Sequence, residues 1–245
     1  MLKEFVSRIV MRIKTNKKIK EIKDALIGLF YPRICACCTR FLFSHEIVVC
    51  MHCENHLPIT GFMNWPGNPT EKIFWGRVKL KAAAGLYFFD KGEKVQKLMH
   101  GLKYKKRKDV GLWLGKKLGV SLLKSGRFDS IDYVVPIPLH PKKEFQRGFN
   151  QSLLIGQGIE STTGWVLSEL LERTVNTATQ TRKTKYERWK NVSGKFQLKA
   201  GSDIKGQNIL IVDDIVTTGA TLEATSRVLL ESGAKSVSVA TIAVA

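Results

Sequence analysis

The sequence lacks long apolar runs. No uninterrupted apolar segment approaches the roughly 18 residues that a membrane-spanning helix requires. The first 30 residues interrupt each apolar group with lysine or arginine, so they also lack the apolar core and the small-residue cleavage site of a secretory signal. We therefore expect a soluble, cytoplasmic protein without a transmembrane segment.

Acidic residues are scarce in comparison with basic ones. Twenty-one Asp and Glu stand against 40 Lys and Arg, which gives a formal net charge of +19. Such a charge favours polyanionic partners, including nucleic acids and phosphorylated metabolites, although a basic surface can equally serve solubility alone. The 245 residues suffice for one large domain, or for a medium domain with a small one.

Two common nucleotide-binding motifs are missing. The chain has no G-x-x-x-x-G-K-[ST] segment, which excludes the phosphate loop of P-loop NTPases. Gly156 and Gly158 form a G-x-G sequence, but they lie within a helical pattern rather than at a turn from strand to helix. We therefore assign them no dinucleotide-binding role.

All five cysteines fall within residues 35–53. Four of them form two C-x2-C pairs: Cys35 and Cys38, then Cys50 and Cys53. Two closely spaced pairs of thiolates suit a tetrahedral Zn2+ ion, and a reducing compartment disfavours disulfides. A site filled by four protein ligands is typically structural, so the pattern predicts a small zinc ribbon.

Two neighbouring side chains leave the ligand set open. Cys37 adjoins Cys38, and His52 lies within the second pair. Either could replace one of the four cysteines as a ligand.

After the cysteine-rich segment, apolar strand-like runs alternate with helical patterns. A stretch rich in Gly, Pro and Asn closes that segment near residue 60. Strand–helix alternation predicts an α/β fold with a parallel sheet and flanking helices. The expected divisions are a basic amphipathic helical segment at 1–30, the zinc ribbon at 31–60 and a larger domain at 61–245, with a helical part at 61–130 and a core at 131–245.

The segment ILIVDDIVTTGAT, residues 209–221, combines a strand, two acids and a threonine-rich turn before a helix. In a parallel sheet, ligands bind beyond the carboxyl ends of the strands, where Asp213 and Asp214 would lie. Backbone N–H groups at the following helix N-terminus suit a phosphate, and carboxylates suit vicinal hydroxyls. Ribose 5-phosphate has this layout; the alternative is an acidic strand end with Thr221 as an ordinary N-cap.

The same segment resembles the phosphoribosyl pyrophosphate (PRPP) motif of type I phosphoribosyltransferases. Three further features narrow the resemblance: VVPIPLHPKKEFQRGFNQ, TQTRKTKYERWKNVSGKF and the four-cysteine ribbon. Together they resemble the ComF/GntX family, whose ComFC members are competence proteins. The similarity extends from about Tyr31 to the end of the chain and implies a phosphoribosyltransferase-like domain whose PRPP-binding core is 131–245 and whose hood is 61–130.

The resemblance also implies roles for residues. Asp213 and Asp214 would hold the ribose hydroxyls, with Mg2+ at one of them. The 5-phosphate would be held by the turn formed by Thr217, Thr218, Gly219, Ala220 and Thr221. Segment 138–141 with Arg147 would form the pyrophosphate loop, and segment 177–195 the lid.

Two functions from different classes fit these features. The first is a Mg2+-dependent enzyme that transfers ribose 5-phosphate from PRPP to a nitrogen acceptor, with His140 as the nearest candidate for a general base. The second is a non-catalytic module of DNA uptake that senses PRPP and binds single-stranded DNA. Basic clusters with aromatic residues favour the second, namely KYKKRK with Tyr104 and RKTKYERWK with Tyr186 and Trp189.

Partner proteins follow from the resemblance alone. It implies a competence helicase and other DNA-processing proteins.

Overall fold

The computed structural model describes residues 32–89, 93–173 and 195–245, and the chain divides into two units, 1–54 and 55–245. The basic segment predicted at 1–30 lies outside the described residues. The elements in chain order are α1 Met51–Asn55, a 3-10 helix Phe62–Asn64, α2 Pro69–Lys72, β1 Ala83–Phe88, α3 Lys94–Tyr104, α4 Lys108–Ser125, β2 Tyr133–Pro136, α5 Pro141–Arg147, α6 Gln151–Thr163, β3 Val166–Leu167, β4 Leu171–Arg173, β5 Phe196–Leu198, β6 Asn208–Val216, α7 Ala220–Glu231 and β7 Ser236–Val244.

In the first unit, one acidic side chain connects the loop between the two cysteine pairs to the start of α1. Glu46 is buried, and its carboxylate accepts hydrogen bonds from the backbone N–H groups of Met51 at 2.7 Å and Phe43 at 2.8 Å. These two hydrogen bonds lower the pKa of Glu46. The loop between the cysteine pairs is thereby fixed to the start of α1.

The second unit contains a parallel five-stranded sheet in the order β1-β7-β6-β2-β3. Its two central strands are buried along most of their length, as strands covered by helices on both faces are. The predicted α/β fold with a parallel sheet and flanking helices is confirmed. Outside this sheet, β4 pairs antiparallel with β5.

Glycines allow α4 and α6 to pack backbone to backbone. A Cβ atom at Gly115 would lie 2.1 Å from the carbonyl oxygen of Ile155, and one at Gly158 would lie 2.4 Å from that of Leu112. Any larger residue would force the helices apart. Gly158 therefore serves helix packing, in agreement with the rejection of a dinucleotide-binding motif.

The predicted pyrophosphate loop contains a short helix, α5, that the sequence analysis did not anticipate. Pro141 occupies the first turn, where its missing N–H is not needed, and Gly148 ends the helix at a φ of 77°.

Within the described ranges, the structure has no helix with the length and apolar character needed to cross a membrane.

Candidate functional site

The two cysteine pairs converge on one point in the first unit. The sulfur atoms of Cys35, Cys38, Cys50 and Cys53 all lie within 4.8 Å of one another, and those of Cys38 and Cys50 are 3.7 Å apart. Tetrahedral Zn–S bonds of about 2.3 Å would place the sulfurs about 3.8 Å apart, so the cluster fits such an ion. Burial raises the pKa of Cys50 and Cys53, so a cation is needed for all four to be thiolates together.

The group of four converging ligand atoms includes neither Cys37 nor His52. Burial, together with the charge of Cys35, raises the pKa of Cys37 to about 12. Its backbone N–H instead donates to the sulfur of Cys35 at 3.4 Å. His52 is exposed and is not part of the group of four. The four-cysteine set is the one that the geometry favours, and it fits a zinc ribbon.

The acidic pair lies near the carboxyl end of the central strand β6, as the sequence predicted. Asp213 is half-buried and Asp214 is buried. The Ser152 hydroxyl at the start of α6 donates to Oδ1 of Asp213 at 2.8 Å, and the N–H of Asp214 donates to the same oxygen at 2.8 Å. The first carboxylate is therefore held in one orientation.

Burial and the neighbouring charge of Asp214 raise the pKa of Asp213 to about 7. Two carboxylates that repel each other in this way favour a cation beside them. Mg2+ in proteins is commonly held by one or two carboxylates together with substrate phosphates, so this pair of hard oxygen donors fits it.

A lysine from another element forms an ion pair with Asp214. Nζ of Lys103, in the last turn of α3, lies 2.7 Å from Oδ2 of Asp214. The Lys103 and Asp214 side chains are only 21% and 12% exposed, so solvent screens the ion pair less than it would a surface pair. The positive charge of Lys103 also opposes the upward shift in the pKa of Asp213.

The turn after β6 presents a helix N-terminus to the same region. Gly219, the residue before α7, has a φ of 71°, and no side chain caps the helix there. Thr217, Thr218 and Thr221 are exposed, as is Ala220. Since the first N–H groups of a helix have no intrahelical partner, this turn can accept an anion. The helix begins at Ala220, so Thr221 is not its N-cap.

An arginine from the segment after α2 fixes this turn. The Arg77 guanidinium donates to the Thr218 carbonyl oxygen at 2.8 Å and to a Glu223 carboxylate oxygen at 2.5 Å. Burial raises the pKa of Glu223, but the hydrogen bonds from Arg77 and Arg227 outweigh it and leave that pKa lowered. The turn is therefore attached on both sides of Gly219.

The other two predicted catalytic residues lie at the two ends of α5. Nδ1 of His140 accepts a hydrogen bond from the Lys142 N–H at 3.2 Å, which makes this side chain the helix N-cap. In the neutral imidazole Nε2 then carries the proton, which suits donation rather than base catalysis. Arg147 donates to the Gln151 amide oxygen at 2.8 Å and lies 5.9 Å from the ring centre of Tyr104.

The predicted DNA-binding clusters are only partly described. Within KYKKRK, Lys103 pairs with Asp214, Arg107 pairs with Asp109, and Lys108 lies over the ring of Phe149. The side chains of residues 104–106 are exposed. The predicted lid up to residue 194 lies outside the described residues, and with it Tyr186 and Trp189.

The parallel sheet with its flanking helices is of the phosphoribosyl transferase type. The family of that description matches residues 163–244, which include β6, the turn and α7. The chain is 29% identical over 225 residues to the DNA utilization protein YhgH of Escherichia coli (strain K12), covering 87% of this chain and 91% of that protein. It is 40% identical over 100 residues to the competence protein ComFC of Bacillus subtilis (strain 168), covering 41% of this chain and 39% of that protein.

The chain is thus a homologue of DNA utilization and competence proteins, and the resemblance to the ComF/GntX family is confirmed. Among solved structures, it is similar to the allosteric regulatory enzyme of purine biosynthesis. That match has 22% identity and a TM-score of 0.42, and it covers 58% of this chain and 30% of the other.

Proposed function

We propose that this protein binds PRPP with Mg2+ and transfers its ribose 5-phosphate to a nitrogen acceptor, in a pathway of DNA uptake or utilization. One observation carries the proposal: only residues 215–219, the end of β6 and the turn after it, separate the acidic pair from the uncapped N-terminus of α7. A polyol next to a phosphate is the chemistry that such a pair of subsites recognises.

Each end of the donor has its own binding groups in this proposal. Asp213 and Asp214 accept hydrogen bonds from the ribose hydroxyls, and residues 217–221 donate to the 5-phosphate. Ser152 keeps Asp213 in position, as its 2.8 Å hydrogen bond indicates. Gly219 allows the backbone to turn, because its φ of 71° is one that other residues rarely adopt.

Transfer breaks the bond between C1 of the ribose and the diphosphate oxygen, and it forms a bond between C1 and the acceptor nitrogen. The acceptor's proton leaves to solvent. Arg147, Lys142 and Lys143 stabilise the departing diphosphate, and the carboxylates stabilise the oxocarbenium-like carbon. Bound Mg2+ supplies additional neutralisation of the diphosphate charge. His140 caps α5 and has no role as a base here.

The four cysteines hold a structural Zn2+ ion in this proposal, since their sulfur spacing matches tetrahedral thiolate ligation. We place the protein in the cytoplasm, with DNA-processing proteins such as a competence helicase as partners. Its similarity to a DNA utilization protein and to a competence protein supports that setting.

A second candidate function is PRPP sensing without transfer, combined with single-stranded DNA binding. The exposed Lys105 and Lys106 beside Tyr104, which is 65% exposed, favour it, since cations next to an aromatic ring suit a single strand. Release of diphosphate from PRPP in the presence of nitrogen bases would favour transfer, whereas PRPP binding without such release would favour sensing.

Isothermal titration calorimetry with PRPP, with and without Mg2+, tests the shared binding step. We expect binding that Mg2+ strengthens. Asp214→Asn should weaken PRPP roughly tenfold or more but leave inorganic phosphate nearly unchanged, because it removes a ribose contact and not a phosphate donor. Asp203→Asn, an exposed position, is the matched control. Equal losses for both ligands in Asp214→Asn would contradict the assignment.

A further inference from the structure

Lys103 forms an ion pair with Asp214, one of the two carboxylates that we propose for the Mg2+ site. Its Nζ lies 2.7 Å from Oδ2 of Asp214, and both side chains are largely buried. A divalent ion bound to the same carboxylate would face a positive charge at short range. The ammonium and the metal therefore cannot both use this oxygen without rearrangement.

We propose that Lys103 competes with Mg2+ for Asp214, so that the metal binds together with PRPP rather than alone. The inference rests on the proposed function, because it takes the PRPP and Mg2+ subsites from there. In the absence of PRPP, Lys103 neutralises the carboxylate. When PRPP binds, its diphosphate provides a second anionic partner, and Lys103 releases Asp214.

The surroundings of Lys103 support such an exchange. The next residue, Tyr104, has its ring 5.9 Å from the guanidinium of Arg147, which we assign to the diphosphate. The last turn of α3 thus lies beside the proposed diphosphate groups. A lysine has a flexible stem with a compact charge, so its ammonium can move between two anions without moving its helix.

The competition can be measured without PRPP, with Mn2+ as the probe, since it favours the same hard oxygen ligands as Mg2+. Electron paramagnetic resonance of free Mn2+ gives its affinity for the full-length protein. Lys103→Met should bind Mn2+ roughly tenfold more tightly than the wild type, because the competing cation is gone. Lys103→Arg, which keeps the charge, should show no gain.

Two further variants locate the effect. Lys105→Met removes an exposed charge two residues away and should leave Mn2+ affinity unchanged. Adding Asp214→Asn to Lys103→Met should remove the gain. Circular dichroism verifies that each variant is folded, and Lys103→Gln replaces Lys103→Met if the latter is not.

The outcomes separate this inference from the function on which it rests. If the wild type does not bind PRPP in the presence of Mg2+, the proposed function fails and the inference fails with it. If the wild type binds PRPP but the Lys103 variant has the Mn2+ affinity of Lys105→Met, the inference alone is refuted.

Discussion

Replacing Gly219 by alanine should destabilise the turn 217–219, which we propose as part of the 5-phosphate site, by two separable effects. The first is conformational: an alanine at a φ of 71° costs about 1 to 2 kcal/mol. The second is steric, because the new Cβ would lie 2.7 Å from Cγ2 of Ile73 and 2.9 Å from Cε1 of Phe74. Phe74 is 1% exposed and has little room to move, so this overpacking should add about 1 to 3 kcal/mol.

A second glycine isolates the steric part. Gly201 has a φ of 78°, and nothing lies within 4 Å of a Cβ built there. Gly201→Ala therefore carries the conformational penalty without the clash, and it should lower the free energy of unfolding by about 1 to 2 kcal/mol. Gly219→Ala should lower it by about 2 to 5 kcal/mol.

Urea unfolding of both variants, followed by PRPP calorimetry, tests this reasoning. We expect Gly219→Ala to weaken PRPP because the clash displaces the start of α7, whereas Gly201→Ala should bind as the wild type does. Equal destabilisation by the two substitutions would show that Ile73 and Phe74 do not confine the turn. Normal PRPP affinity in a destabilised Gly219→Ala protein would show that the turn is not part of the PRPP-binding site.

The remaining predictions concern the metal cluster and the basic surface. Elemental analysis should find about one zinc per chain, lost in Cys53→Ser but retained in Cys37→Ser; metal-free wild-type protein purified without chelator would contradict this. Neutralising Lys105 and Lys106 together should weaken single-stranded DNA binding and reduce its log–log salt slope by roughly 0.7 for each lost phosphate contact. Filter binding at several salt concentrations measures that slope, and an unchanged slope would exclude these two lysines from the DNA contact.

The sequence was enough to predict those site positions that follow from a local pattern together with a general rule of sheet topology. The apolar run 209–212, rich in β-branched residues, indicates a buried strand, and parallel sheets bind ligands at the ends of such strands. The position of Asp213 and Asp214 follows from those two facts. The cysteine spacing likewise identified the four residues that converge in the structure.

Contacts between distant segments could not be predicted in this way. Arg77 and Glu223 are 146 positions apart, and neither belongs to a motif, yet together they fix the turn around Gly219. Ser152 is 61 positions from Asp213. No periodicity encodes such pairs, because they depend on how α6, α7 and the segment after α2 meet in the folded unit.

Lys103 shows why a cluster of basic residues in a sequence can overestimate the positive charge that the folded protein exposes for binding. KYKKRK contains five cations in six positions, a pattern typical of a binding surface for a polyanion. In the fold, the helical turn of α3 directs Lys103 toward Asp214, while Arg107 is held by Asp109 at the start of α4. Part of the basic excess of this chain is thus used to balance the carboxylates that the proposed PRPP site requires. The remaining exposed charge at this junction is smaller than the sequence suggests, so any DNA contact made there should have a shallow salt dependence.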